Sequence, residues 1–275
     1  MANKLTREQV EDTVKKAWTK GERPNFNGAD LSELDLSGLN LSMSDLSGAD
    51  LSKADLQRTL LSNTNLIGAD FSGANLSGAD LSEALLSGAM FVQANLSRVN
   101  LIDASLNGAK FLKADMSRAN LNGANLGGTN FKGANLSRSD LSDSNLHWAN
   151  FSQADLTGAD LHGASLREAK LDNTTQMDDK WRLVWSIVNQ QASEQDLNGA
   201  DLSGANLRRA DLSMADLTDA NLSGADLSRA NLEDAILKGA DLGNAVLQQV
   251  KVSKEQLDTA KNLAKAVLPD GTVHK

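Results

Sequence analysis

From Phe26 to Leu171 every fifth residue is Leu, Phe or Met, 30 positions without exception. The pattern stops, resumes at Leu197 and runs to Leu247 as 11 further positions, all Leu. Two residues before the centre usually stands a small residue, Ala in 30 of the 41 units, and Asp or Asn usually stands directly before the centre. Ser commonly follows the centre, and Gly is frequent after that. A period of five suits neither regular element. On an α-helix, successive centres would lie about 500° apart and smear around the cylinder. On a strand, the odd spacing would send them to opposite faces. The centres share one interior only if the chain turns within every unit, and Asp, Asn, Ser and Gly are the residues that turn it. The expected structure is a coil with short sides.

The phenylalanines set the number of units per turn. Phe71, Phe91, Phe111, Phe131 and Phe151 recur every twenty residues, although any centre was open to them, so four units make one coil. Gly28, Gly48, Gly68, Gly88, Gly108 and Gly128 form another such column, as do Arg98, Arg118 and Arg138. Coils stacked at strand separation, roughly 4.8 Å, make the first block about 36 Å long and the second about 13 Å. Inward Ala and Leu fill a narrow square prism, and neighbouring coils satisfy each other's backbone groups.

Three segments break the period, and each fits a helix. In residues 1–25, Thr6 and Gln9 form a capping-box pair ahead of an apolar stripe of Val10, Val14, Ala17 and Trp18. In residues 172–196, Thr175 with Asp178 opens a segment in which Met177, Trp181, Val184, Trp185 and Val188 fall at helical spacing. In residues 251–275, Ser253 and Gln256 open a face of Leu257, Ala260, Ala264, Val267 and Leu268. The outer two are expected to cap the repeat blocks 26–171 and 197–250, because an open solenoid end exposes a Leu core and a strand edge. The middle one shifts the phase of the repeat. Either the coil continues past it or it caps one block and lets the second sit at an angle. Trp18, Trp181 and Trp185 are expected to pack in the core.

Composition narrows the chemistry. The chain has no Cys and three His, which removes thiol nucleophiles, disulfides and Cys-ligated zinc. His147, His162 and His274 share no column, the Ser residues are turn residues, and a filled Leu interior leaves no cavity for a substrate. No enzyme activity, cofactor or metal is expected. The net charge of −9 argues against direct nucleic-acid binding. No apolar N-terminal region or 18-residue apolar window is present, so a cytoplasmic protein without membrane contact is expected.

The run Gly73-Ala74-Asn75-Leu76-Ser77-Gly78-Ala79-Asp80-Leu81-Ser82 resembles the pentapeptide-repeat family. The segments Asp178-Asp179-Lys180-Trp181-Arg182-Leu183-Val184-Trp185 and Leu268-Pro269-Asp270-Gly271-Thr272 are similar to cyanobacterial members. The resemblance implies an all-β solenoid, a right-handed quadrilateral parallel β-helix, here with short helical caps and one helical insertion. It also implies a non-enzymatic protein-interaction scaffold with an unidentified protein partner. The alternative is a DNA-mimic inhibitor or modulator of DNA gyrase, as some members of that family are. A C-terminal helix leaves open a monomer or a helix-mediated dimer.

Three surface features are the candidate contact points. Arg98, Arg118 and Arg138, preceded in their column by Arg58, put guanidinium groups on an otherwise acidic chain, free for an anionic partner or paired with Asp115 and Asp140. Met90, Val92 and Leu112 take outward positions on the face of the Phe column, flanked by Leu85 and Ile102, as an apolar patch that a partner or a helix of this chain covers. Trp148 replaces Gly in the Gly column and projects outward.

Overall fold

The computed structural model describes residues 4–190 and 192–275. Its dominant feature is a parallel β-bridge ladder in which each residue before a centre pairs with the residue twenty positions later, as in Asp30 with Asp50, Asp50 with Asp70 and Asp70 with Met90. Four five-residue units therefore complete each coil of a parallel β-solenoid. One unit accounts for all five of its N–H groups. Phe71 N donates to Met90 O (2.7 Å) and Gly73 N to Val92 O (2.9 Å) in the next coil, Ala74 N closes the turn on Phe71 O (2.9 Å), and Asn75 N reaches back to Ala54 O (3.0 Å). The fifth donor, Ser72 N, is satisfied by the side chain of Asp70 at 2.8 Å. Asp or Asn precedes the centre for that reason: its Oδ1 caps a donor the backbone leaves over.

The interior follows the pattern. The centres from Leu31 through Leu166 are buried, and the five stacked Phe rings lie near parallel with centroids 4.6–5.3 Å apart, which is the coil spacing. Where Thr replaces Ala, its buried hydroxyl finds a carbonyl, as Thr59 Oγ1 does on Leu36 O at 2.9 Å. Ser44 is the exception, a buried hydroxyl without a partner among the described residues.

The chain divides into two compact units, Met1–Asp160 with Glu168–Met177, and Leu161–Arg167 with Asp178–Lys275. This division differs from the expected blocks 26–171 and 197–250, because Leu161–Arg167 pair with the second unit. Gly163 N donates to Gly204 O (2.8 Å), and Asn206 Nδ2 donates to Gly163 O (3.0 Å).

In the first unit, helix α1 (Arg7–Thr19) carries the expected capping box and buries Val10, Val14 and Ala17. Trp18 departs from expectation: it is 46% exposed at the edge of that face. The unit's last repeat contains one extra residue, since Asp155 pairs with Gln176. Thr175 is accordingly no helix cap. It occupies an Ala position, and its hydroxyl donates to Phe151 O at 2.9 Å.

In the second unit, helix α2 (Asp179–Asn189) buries Trp181, Val184 and Ile187, with Asp178 as N-cap. Trp185 and Val188 are half-buried, which corrects their expected place in the core. Lys180 lies over the Trp181 ring (4.8 Å) and reaches Asp201 (3.2 Å) and Ser203 (2.8 Å). The C-terminal capping helix expected over 251–275 is corrected to a single turn, α3 (Lys254–Leu257). Beyond it the coil resumes, with Asp241 pairing Asn262 and Val246 pairing Val267 in parallel. Leu263 and Leu268 are again five apart, and Asn262 caps Ala264 N at 2.9 Å, as the Asx residues of the earlier coils cap theirs. The apolar residues of 260–268 fit both periods, and the Asx turn together with pairing to the preceding coil decides for five. A helix-mediated dimer through this segment loses its helix.

Candidate interaction surface

Arg58, Arg98, Arg118 and Arg138 each stand second after the centre, in one column of the coil. Their backbone is left-handed, with φ of 55, 58, 57 and 59°. That corner conformation, which Gly occupies at other turns, sends the side chain away from the filled interior. All four are exposed. The pairing with Asp115 and Asp140 does not form, and none of the four guanidinium groups has a hydrogen-bond or ion-pair partner among the described residues. Other arginines behave differently: Arg7 holds Asp35 (3.1 Å), Arg208 holds Asp226 (2.9 Å), and Arg229 donates to Gln249 (2.8 Å). In the Arg column, one place is empty. Gly78 stands between Arg58 and Arg98 and leaves an open cavity of about 590 Å³ lined by those residues with Arg118, Asp115 and the hydroxyls of Ser77, Ser97 and Ser117.

The apolar candidates lie elsewhere around the coil. Met90, Val92 and Leu112 flank the Phe column and are half-buried, as is Ile102, while Leu85 is 47% exposed. Trp148, in the Gly column, is 64% exposed, and its ring meets His147 edge-on at 5.5 Å. The fold thus joins the arginines into one surface and leaves Met90, Val92 and Leu112 on a second face and Trp148 at a third place.

An apolar groove went unanticipated. Val14 and Trp18 of α1 face Leu39 and Leu41 across a cavity of about 510 Å³. Its legible signal was Leu39, which stands in a position that usually takes Ala.

Electrostatically, the turn carboxylates are stabilised in their charged form. Hydrogen bonds from the Ser37 hydroxyl and N–H hold Asp35 below the usual carboxylate range, and those from Ser47 do the same for Asp45. Asp172, which accepts from the Thr174 hydroxyl first and from Gln153, Thr174 and Thr175, is lowered to about 2. Among the described residues no group of three His, Asp or Glu is placed to hold a metal ion, and no helix is long and apolar enough to cross a membrane.

The pentapeptide repeats family matches residues from 25–63 through 139–175, then 191–224 and 225–258. The chain belongs to the pentapeptide-repeat family. Among solved pentapeptide-repeat proteins, it is similar to HetL, involved in heterocyst differentiation regulation in the cyanobacterium Nostoc, with 34% identity over 98% of this chain and 100% of that one (TM-score 0.43). A pentapeptide-repeat protein of the Arabidopsis thaliana thylakoid lumen is 37% identical over 41% of this chain and 71% of that one (TM-score 0.29). QnrB1, a plasmid-mediated fluoroquinolone resistance protein, is 23% identical over 54% of this chain and 86% of its own (TM-score 0.31). No curated protein sequence matches.

Proposed function

We propose that this pentapeptide-repeat chain is a non-enzymatic scaffold that docks a protein partner on the side carrying Arg58, Arg98, Arg118 and Arg138. The observation that supports the reading is the set of four unpaired guanidinium groups in one column on a chain of net charge −9. Arginine is the side chain best suited to bind carboxylates or other oxyanions through paired N–H groups. A rigid coil also holds such groups at fixed spacing, which limits the ordering cost of binding. Trp148 and the strip of Met90, Val92 and Leu112 are secondary contacts in this proposal. The coil is taken as right-handed and quadrilateral, as the family resemblance implies.

Affinity capture from the native cell tests this reading. The immobilised chain retains a partner, and replacing Arg98, Arg118 and Arg138 together by Glu releases it. Retention of the same proteins by the triple variant overturns the proposed surface. The DNA-mimic alternative draws on the acidic net charge, and the Arg column runs against it. Gyrase supercoiling is therefore expected to be unaffected by excess protein.

A further inference from the structure

We infer that the notch at Gly78 is a binding site for a compact diphosphoryl anion, seated between Arg58 on one side and Arg98 and Arg118 on the other. The inference deepens the docking proposal by naming the chemistry the column recognises, and it rests on that proposal only in treating the column as a binding surface. Three features of the notch carry it.

The first is charge. Arg58, Arg98 and Arg118 line one cavity with no intramolecular partner, and Asp115 is the single carboxylate among the lining residues. Asp115 Oδ1 is already engaged by Ser117 N (3.0 Å) and Asn135 Nδ2 (3.0 Å), so it is turned to the coil's own turn. The notch keeps an excess of positive charge on a negative molecule.

The second is spacing. One coil is 4.6–5.3 Å tall. Arg98 and Arg118 are one coil apart, close enough to grip a single tetrahedral phosphoryl group from two sides. Arg58 is two coils from Arg98, roughly 10 Å, with the glycine gap between them. One phosphate leaves Arg58 unserved, whereas two linked phosphoryl groups engage all three through flexible arginine arms.

The third is the floor. Ser77, Ser97 and Ser117 line the notch with hydroxyl groups that make no hydrogen bond among the described residues, in contrast to Ser37 and Ser47, whose hydroxyls bond Asp35 and Asp45 at 2.6 Å. The corresponding residues before the centres are Asn75, Asn95 and Asp115, of which the first two are neutral, and Asn95 Nδ2 donates to Asn75 Oδ1 at 3.1 Å. The floor therefore offers free hydroxyl groups, with Asn75 in the coil of Gly78 and Asp115 the single carboxylate at the far end. A long polyanion such as a nucleic acid is disfavoured by the surrounding acidic surface, and a compact one is not.

Titration calorimetry at low ionic strength, with inorganic pyrophosphate and with a doubly phosphorylated peptide as separate probes, tests the site. Saturable one-to-one binding of either probe is expected, weakening as salt rises. Binding of pyrophosphate points to a free diphosphate source, and binding of the peptide alone to a phosphorylated protein. Gly78→Glu replaces no arginine but sets a carboxylate in the notch against the Arg58 side chain, whose Cγ lies 3.7 Å from the place of the new Cβ, and is expected to weaken binding at least tenfold. Arg58, Arg98 and Arg118 already hold the same left-handed backbone in this column, so a side chain at residue 78 is compatible with the coil. Arg98→Gln, at an exposed position that bears on no folding contact, is expected to weaken binding by a similar factor with unchanged melting. No saturable binding of either probe, or equal binding by the Gly78→Glu and Arg98→Gln variants, overturns the site. Partner capture that still depends on the arginines would then leave the docking proposal standing, so the two fail separately.

Discussion

The residue before each centre performs two functions that its Asp/Asn alternation reveals. Its Oδ1 caps the N–H two positions on, which either side chain does equally well. Asn adds a second bond, because its amide donates to the Oδ1 one coil earlier, as Asn100 does to Asp80 (2.9 Å) and Asn65 to Asp45 (3.1 Å). An Asp in that later place, as Asp50 is to Asp30, sets two carboxylates in neighbouring coils instead. Acid affects these caps with a definite sign. A carboxylate lowered in the folded state stabilises the fold above its unfolded value of 3.8, and that stability disappears as the pH falls through the folded value, about 2 for Asp172. The melting temperature is expected to hold above about pH 4 and drop between about pH 4 and 2, and thermal scans of Asp172→Asn, which keeps the accepting oxygen without titrating, are expected to show a shallower drop. Ser44 offers a test of opposite direction. Its buried hydroxyl lacks a partner, so Ser44→Ala is expected to raise stability by about 1 kcal/mol in urea unfolding.

At the scale of the coil, the Phe column shows how uniform layers stack. Phe111 is sealed between Phe91 (4.6 Å) and Phe131 (5.3 Å). Phe111→Ala is expected to cost about 3–5 kcal/mol in denaturant unfolding, since neighbouring coils are pinned by backbone bonds and collapse little into the space. Most of the coil was legible from residues alone: a five-residue unit completes its turn and its two inward side chains within itself. The C-terminal segment was not, because Leu257, Ala260, Ala264 and Val267 fit a helical stripe while Leu263 and Leu268 fit the period of five. Asn262 separates the two readings by sign. In a helix Asn262→Ala would stabilise by about 0.5 kcal/mol. In the coil it removes the bonds to Ala264 N and Asp241 (both 2.9 Å), and a loss of about 1 kcal/mol in urea unfolding is expected. The Arg column was likewise legible as a column, whereas its lack of partners and the gap at Gly78 depend on where Asp115 and the serines point.

At the scale of the whole molecule, the ladder has a polarity, and the start of the first unit and the end of the second are closed by opposite chemistry. Centre N–H groups donate forward, so the first coil is left with unserved carbonyls. Donors meet them: Leu5 N reaches Asp30 O (3.0 Å), and Arg7 reaches Asp35 O (2.9 Å) and Ser37 O (3.1 Å). The last coil is left with N–H groups, and acceptors meet these: Lys265 N donates to His274 O (3.0 Å) and Leu268 N to Thr272 O (2.7 Å) in a hairpin where Val267 pairs antiparallel with Val273. Gly271, with φ of 87°, makes that reversal possible. Covered edges do not template further strands. The full chain is expected to be monomeric by light scattering, and removal of residues 269–275 is expected to produce self-association.

The period, the four-unit coil, the Leu and Ala interior and the turn caps were determined by the sequence itself, because each is settled within five residues or by repetition at twenty. Tertiary structure decided what repetition does not encode. It closed the C-terminal end with a hairpin in place of a helix, placed Leu161–Arg167 with the second unit, left Trp18 half outside, and left the Arg58 column without partners. Each of these depends on which distant backbone or side-chain group is in reach, and a local pattern specifies the groups a residue offers, not the ones it meets.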